Sequence, residues 1–341
     1  MNQRNSTPVN SNPHTFYKDK VILVTGGTGS IGSQIVKELV NYSPARIIIL
    51  SKDDSKQYLM KQTLKEYTNI YYLIGDIRDY RRVEYVCTGV DFIFHTAALK
   101  QVPTCEENPD EAIKTNLLGC MNIIEAAIKN NVKKVINIST DKAVNPSNTM
   151  GATKLLSEKL FNQANMKLNN RVTTFSSVRF GNVLGSRGSV IPLLFDQLLN
   201  DQPLTITNLS MTRFFMSIQE AVQLTIKACE YAEGGETYIL KMKALMLSDL
   251  VTGLKQYTKE KQLNVPNISI IGMRKGEKLY EELASDLELQ NVYENDQMYV
   301  ISPSQPKNGS FMKTHLSDYR SDKVKMISQT EIAKIFKDLK S

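Results

Sequence analysis

Histidine occurs only three times in this chain of 341 residues, at His14, His95 and His315, and cysteine only four times. Three scattered imidazoles do not make a His-rich metal centre, because zinc sites need several N or S donors brought together. Cys87, Cys105, Cys120 and Cys229 lie far apart with no CxxC spacing. They read as free thiols of a reducing compartment, not as a disulfide frame or a zinc site, so no metal is expected. No apolar run approaches the ~20 residues that cross a bilayer, and residues 1–20 lack the apolar segment of a secretory signal. The expectation is a cytoplasmic protein without a membrane partner. The formal charge is +7, but the basic residues are spread along the chain with no Lys/Arg block or interleaved aromatics. That argues against a nucleic-acid partner and suits a phosphate-bearing small molecule.

The hydrophobic share of 41% and charged share of 23% are those of an ordinary globular protein, long enough for one large or two modest domains. Residues 1–18 are rich in Asn, Ser, Thr and Pro without periodicity and read as a disordered arm. From Lys20 short apolar runs begin, the first being Val21-Ile22-Leu23-Val24. Such a run fits a strand covered on both faces. Further strands are predicted at 46–50, 70–74, 91–95, 134–138 and 173–178, with helical segments between them, notably 110–130 and 148–165. Regular alternation predicts an α/β chain, a Rossmann-type doubly wound parallel sheet over residues 19–181. Beyond Gly181 short strands at 204–207 and 237–240 and a helix at 217–232 predict a smaller mixed substrate-binding lobe over 182–341, with room for the chain to cross back between lobes.

The first strand runs into Thr25-Gly26-Gly27-Thr28-Gly29-Ser30-Ile31-Gly32. Gly26, Gly29 and Gly32 give a tight turn, close backbone approach to a pyrophosphate, and close helix packing, and the helix start favours the anion. A glycine triplet alone is weak, but one between a buried strand and an amphipathic helix is strong. Thr28, Ser30 and Ile31 complete that cofactor turn. Ser51 and Lys52 at the second strand tip suit the 2′-phosphate of NADP. NAD stays open if Asp53 or Asp54 holds the ribose instead. Asp76 after the third strand suits the adenine amino group, with Ile77 packing on the ring. Ala97 and Ala98 after the fourth are small enough for the cofactor to lie against the backbone, and Lys100 and Gln101 can bridge cofactor and sugar.

After the fifth strand come Ser139-Thr140-Asp141-Lys142 and then Met150-Gly151-Ala152-Thr153-Lys154. Ala152, Leu156 and Leu160 predict a buried helix stripe with Lys154 one turn beyond Met150. TGGTGSIGS, HTAALKQVP, STDKAVNPSNTMGATK, RFGNVLGSRGSVIPLL, MTRFFM and GMRKGEKLYEEL follow in order. Six such blocks, over nearly the whole chain, resemble the extended short-chain dehydrogenases, specifically the polysaccharide-biosynthesis branch of UDP-N-acetylglucosamine 4,6-dehydratases. Met150 stands where the family's Tyr-x-x-x-Lys places tyrosine, and methionine cannot exchange a proton. That disfavours a 4-epimerase or reductase relying on the tyrosine.

The resemblance implies a redox-neutral dehydration: oxidation at C4, loss of the C5 proton and C6 hydroxyl, then reduction at C6, with inversion at C5 favoured. It implies Lys142 as the C5 base, Asp141 as the acid for the departing hydroxyl, Thr140 as the link to the C4 hydroxyl, and Lys154 at the nicotinamide ribose. Asn182, Arg187, Ser189 and Val190 are implied to meet the diphosphate and uridine, with Arg213, Arg274 and Glu277 beside them. Thr205 faces either the uridine or, as an ordinary strand threonine, its neighbours. A homo-oligomer, dimer or hexamer, completes the implied picture.

Overall fold

In the computed structural model, which describes residues 13–265, 267–307 and 309–338, the apolar runs become strands of one ten-stranded sheet. The chain opens with α1 (Pro13–Tyr17), β1 (Val21–Thr25), α2 (Ser30–Leu39), β2 (Arg46–Ser51), α3 (Asp54–Thr63), β3 (Ile70–Ile74), α4 (Tyr80–Val86) and β4 (Phe92–His95). It continues through α5 (Val102–Glu107), α6 (Pro109–Ile113), a π-helical turn (Lys114–Leu118), α7 (Gly119–Lys129), β5 (Lys134–Ile138), α8 (Thr149–Ala164) and β6 (Thr174–Arg179). Their strands lie parallel in the order β3-β2-β1-β4-β5-β6, with the order reversing beside β1. Ligands of such sheets bind in the crevice that this reversal opens at the carboxyl ends. Ile22 and Val24 enter one apolar cluster and Leu23 the other, so β1 is fully covered on both faces.

Beyond β6 come β7 (Asn182–Val183), α9 (Val190–Leu199), β8 (Leu204–Ile206), β9 (Thr212–Met216), α10 (Ile218–Tyr231), β10 (Thr237–Leu240), β11 (Lys243–Met246) and α11 (Leu247–Glu260). The last elements are β12 (Ile268–Ile270), α12 (Asp286–Leu289), β13 (Val292–Glu294), β14 (Met298–Ile301), β15 (Met312–Lys313) and α13 (Gln329–Asp338). β10 adds to β6 in parallel, and β14, β13 and β15 extend that edge antiparallel, so the chain does return to the main sheet. α9, α11 and α13 gather around a separate core that includes Leu194, Phe215, Leu254 and Phe336.

Three expectations need correction. Residues 13–17 of the supposed disordered arm form a docked helical turn: Tyr17 is fully buried and its hydroxyl donates to the Ile226 carbonyl at 2.7 Å, while Phe16 stacks on Phe92. Two adjacent aromatics bury enough area to order a segment whose average composition is polar; residues 1–12 lie outside the described residues. The helix expected at 110–130 is interrupted by the π-turn. On α8 the expected apolar stripe is reversed, since Leu156 is 51% exposed and the inward face carries Met150, Lys154, Ser157, Glu158 and Phe161. The helix packs against polar groups of the site, and periodicity alone cannot distinguish that from a core.

One of those polar groups is Arg179, 1% exposed at the end of β6. Its Nε and Nη2 donate to Glu158 at 2.8 and 2.5 Å, Nη1 and Nη2 to Glu288 at 2.9 and 2.7 Å, and Nη1 also to the Leu283 carbonyl at 3.1 Å. Burial alone would raise the Glu288 pKa, but the Arg179 hydrogen bonds and charge bring it down to about 2. Arg179→Ala strands the buried Glu158 carboxylate and the part-buried one of Glu288 and is expected to lose about 3–5 kcal/mol by urea denaturation. Because Glu288 is lowered, its contribution is complete above its ordinary value and fades as pH falls towards 2. The wild type should therefore lose more stability between pH 6 and pH 3 than Glu288→Gln, measured by the same titration.

Candidate active site

Leaving β1, the chain turns through Gly26 at φ 65° so tightly that a Cβ there would lie 2.8 Å from the Ala97 backbone. A Cβ on Gly32 would lie 2.5 Å from the Gly26 carbonyl oxygen. Gly29 begins α2 with no side-chain acceptor for the first-turn amides, and such unpartnered N–H groups at a helix's positive end attract phosphate. The Thr28 hydroxyl meets that of Ser51 at 2.8 Å, fastening the turn to the tip of β2. This cradle fits a nicotinamide dinucleotide. Asp53 is already engaged as the cap of α3, accepting from the Lys56 amide and pairing with its ammonium, while Lys52 is exposed. Asp76 is held by Arg78. Ile77 is buried against Gly119 on α7, where its side chain packs inward instead of lying open to an adenine ring.

Beyond β5 a short 3-10 turn, Asp141–Ala143, puts three of the expected groups together. Thr140 Oγ1 donates to Asp141 Oδ1 at 2.8 Å, and Lys142 Nζ donates to the same oxygen at 2.9 Å. Asp141 is fully buried, and among the described residues its Oδ2 has no partner; neither does the buried Ser139 hydroxyl. Buried polar atoms are almost always paired, so the two mark where a ligand's hydroxyls would bond. Burial would depress Lys142, but the carboxylates of Asp141 and Glu281 hold its pKa above the ordinary lysine value. Lys154 is depressed by burial and donates to the Ile138 carbonyl at 2.6 Å. Met150 sits in an apolar pocket with Cys105 and Ala112, Leu99 and Val102 packing alongside.

The substrate-side expectations divide. Arg187 lies on the phosphate turn, its Nη2 donating to the Thr28 carbonyl at 2.6 Å and its amide to Ser30 Oγ at 3.3 Å. Its loop touches the one carrying Lys100, since a Cβ on Gly188 would lie 2.2 Å from Gln101 Nε2. Asn182 opens β7, and Ser189 precedes Val190 at the start of α9 with its buried hydroxyl unpartnered. Thr205 instead exchanges hydrogen bonds with Gln197. Arg213 is turned inward to the carbonyls of Thr212, Lys278 and Leu279. Glu277 accepts from the amide of Arg274, an exposed turn residue.

Two site residues escaped the sequence reading. Asn116, buried in the π-turn, accepts from the Leu99 amide and donates to the Leu99 carbonyl and to Thr153 on α8. Glu281 reaches Lys142 from 139 positions away, with Oε1 at 3.5 Å. Neither has a local signal, because both pairings are made only by the fold. His95, by contrast, is structural: burial first, then the charge of Lys154, depresses its pKa to about 3, and it bonds Thr25 and Cys120 as a neutral ring.

A family model described as polysaccharide biosynthesis protein matches residues 22–303. The chain belongs to that family. A UDP-N-acetylglucosamine 4,6-dehydratase (inverting) of Campylobacter jejuni is 44% identical over 85% of this chain and 84% of the relative. A UDP-glucose 4-epimerase of Rickettsia bellii is 39% identical over 95% of this chain and 97% of the relative. The X-ray structure of Pen from Bacillus thuringiensis superposes with a TM-score of 0.89 at 42% identity, covering 95% of this chain and 98% of that one. Among the described residues of this polysaccharide biosynthesis protein, no helix is long and apolar enough to cross a membrane and no acid, His or Cys cluster is built to hold a metal. Replacing Gly32 by Ala drives a Cβ into the Gly26 carbonyl, so nicotinamide dinucleotide affinity should fall at least ~10-fold by fluorescence titration, about 1.4 kcal/mol.

Proposed function

We propose that the protein is a UDP-N-acetylglucosamine 4,6-dehydratase that binds NADP and forms a UDP-2-acetamido-2,6-dideoxy-4-hexulose, with inversion at C5, for surface glycan biosynthesis. The observation that carries this reading is Asp141: fully buried, one oxygen held by Thr140 and Lys142, the other unpartnered. It lies at the carboxyl edge of the sheet, where such folds perform their chemistry. When bound, the nicotinamide would supply reversible oxidation at the hexose.

The residues of the chain handle the protons. Thr140 passes the C4 hydroxyl proton to Asp141, which gives it to the C6 hydroxyl so that this group leaves as water. Lys142 removes the C5 proton. Lys154, held at the Ile138 carbonyl, adds positive potential beside the ribose. The start of α9 with Ser189, together with Asn182, faces the diphosphate. Arg274, on the turn whose Gly276 carbonyl accepts from Ser147 and Asn148, supplies a cation. The name of the Campylobacter relative supports inversion, and that of the Rickettsia relative supports a second reading as a 4-epimerase. Met150 weighs against the latter, since it has no proton to exchange.

NADP is favoured over NAD because Asp53 is committed to Lys56, whereas the Ser51 hydroxyl and the Arg187 guanidinium both meet Thr28, with the exposed Lys52 next in sequence to Ser51. Arg187→Ala should therefore weaken NADP by about tenfold while leaving NAD within about twofold, measured by titration of each cofactor. Incubation with UDP-N-acetylglucosamine should give a product lighter by one water in the mass spectrum; an unchanged mass with a new sugar would establish the epimerase. Lys142→Ala should abolish solvent deuterium incorporation at C5, and proton NMR couplings of the first product should report the inverted configuration.

A further inference from the structure

The Lys142 ammonium is shared by two carboxylates, Asp141 Oδ1 at 2.9 Å and Glu281 Oε1 at 3.5 Å. Asp141 already satisfies one strong ion pair for it, yet the fold buries a second acid there, at 3% exposure. Taking a carboxylate out of water costs several kcal/mol unless something compensates. Glu281 is also held firmly. Its amide donates to Ser321 Oγ at 2.9 Å, its carbonyl accepts from the Ser321 amide at 2.9 Å, and the Ser321 hydroxyl meets Thr212 at 2.8 Å. Arg213 Nε stands 3.7 Å from the same Glu281 oxygen but spends its guanidinium hydrogen bonds on carbonyls. Neighbouring Glu282 faces away, towards Lys278 and Asn145.

Two acids on one lysine create a chemical difficulty. A base must be neutral when the substrate arrives, and a lysine between carboxylates is charged. Its proton needs an acceptor inside the site, and Asp141 is reserved for the C4 and C6 hydroxyls.

We propose that Glu281 is that acceptor, a positioning residue that takes the proton of Lys142 and so delivers it as the free amine at C5; the inference rests on the dehydratase reading. The N–H bond of Lys142 breaks and an O–H bond forms on Glu281, giving a neutral pair. Lys142 then takes the C5 proton, and when C5 is reprotonated one proton leaves the pair, restoring ammonium and carboxylate. Burial, opposed by Lys142 and Arg213 and helped by Asp141, leaves the Glu281 pKa raised, which favours its carboxyl as a proton acceptor. Charged groups facing the pair are Asp141 on the turn after β5, Arg213 on β9, and Lys278 and Glu282 on its own segment.

The test compares the full-length protein with Glu281→Gln, using UDP-N-acetylglucosamine and NADP in deuterated buffer. Turnover and C5 deuterium uptake should fall together by about 10²-fold with KM within about threefold, while the reduced-cofactor absorbance on mixing keeps its wild-type amplitude because C4 oxidation is spared. Internal transfer leaves the pair's charge unchanged, so wild-type kcat should be level through neutral pH. The Gln variant must lose its proton to water, and its log kcat should climb by about one per pH unit. Wild-type kcat with a level profile in Glu281→Gln overturns the proposal. Should that variant fail to fold, Glu281→Asp carries the test: lowered kcat with KM held and a level profile supports it, and unchanged kcat refutes it. No loss of water from UDP-N-acetylglucosamine by the wild type would instead sink the dehydratase reading itself.

Discussion

Arg179 is the cation on which the geometry of the site depends. Placed at the end of β6, it joins Glu158 of α8 to Glu288 and the Leu283 carbonyl of the C-terminal segment. A buried ion triad of this kind is weak evidence for stability, since its desolvation cost offsets much of its attraction. Its effect here is positional. By fixing residues 283–288 against the parallel sheet, Arg179 sets where the residues just before them run, and Glu281 is among these. Lys142 and Glu281 meet where this clamp, the Ser321 bonds to the Glu281 backbone and the Lys278 bond to the Val144 carbonyl tie the late-arriving segment to the sheet.

The charges of the site then balance. Asp141 and Glu281 face Lys142 and Arg213, two acids and two cations, so the cluster can be buried without a net charge in a medium of low dielectric. Among the described residues Lys154 has no such partner within ion-pair distance and rests on a carbonyl, and burial depresses it while Lys142 is raised. Two lysines twelve positions apart in sequence are tuned in opposite directions by what surrounds them.

What could be read from the sequence was what is local. Buried parallel strands announce themselves as apolar runs, the phosphate turn as glycines in a fixed context, and Thr140, Asp141 and Lys142 as neighbours after a strand; all appear where they were expected. Non-local matters escaped. The α8 stripe was misread because Ser157 and Glu158 point inward to a buried polar site, a pattern that apolar periodicity cannot register. Arg213 is expected beside the diphosphate because nothing near it in sequence reveals the three carbonyls that take its hydrogen bonds. Glu281 is one glutamate of an adjacent pair, and only the fold distinguishes it from Glu282.

Arg187 shows how far the two halves of the site are joined. A diphosphate-binding role on the sugar side was the expectation, yet the side chain lies across the cofactor turn on the Thr28 carbonyl. The same loop presses on Gln101 and leads, two residues later, to the unpartnered hydroxyl of Ser189 at the start of α9. One short loop thus touches the phosphate cradle at one end and the start of α9 at the other. The contacts of Arg187 and Gly188 place the start of α9 beside the phosphate turn and the loop of Gln101 through protein alone.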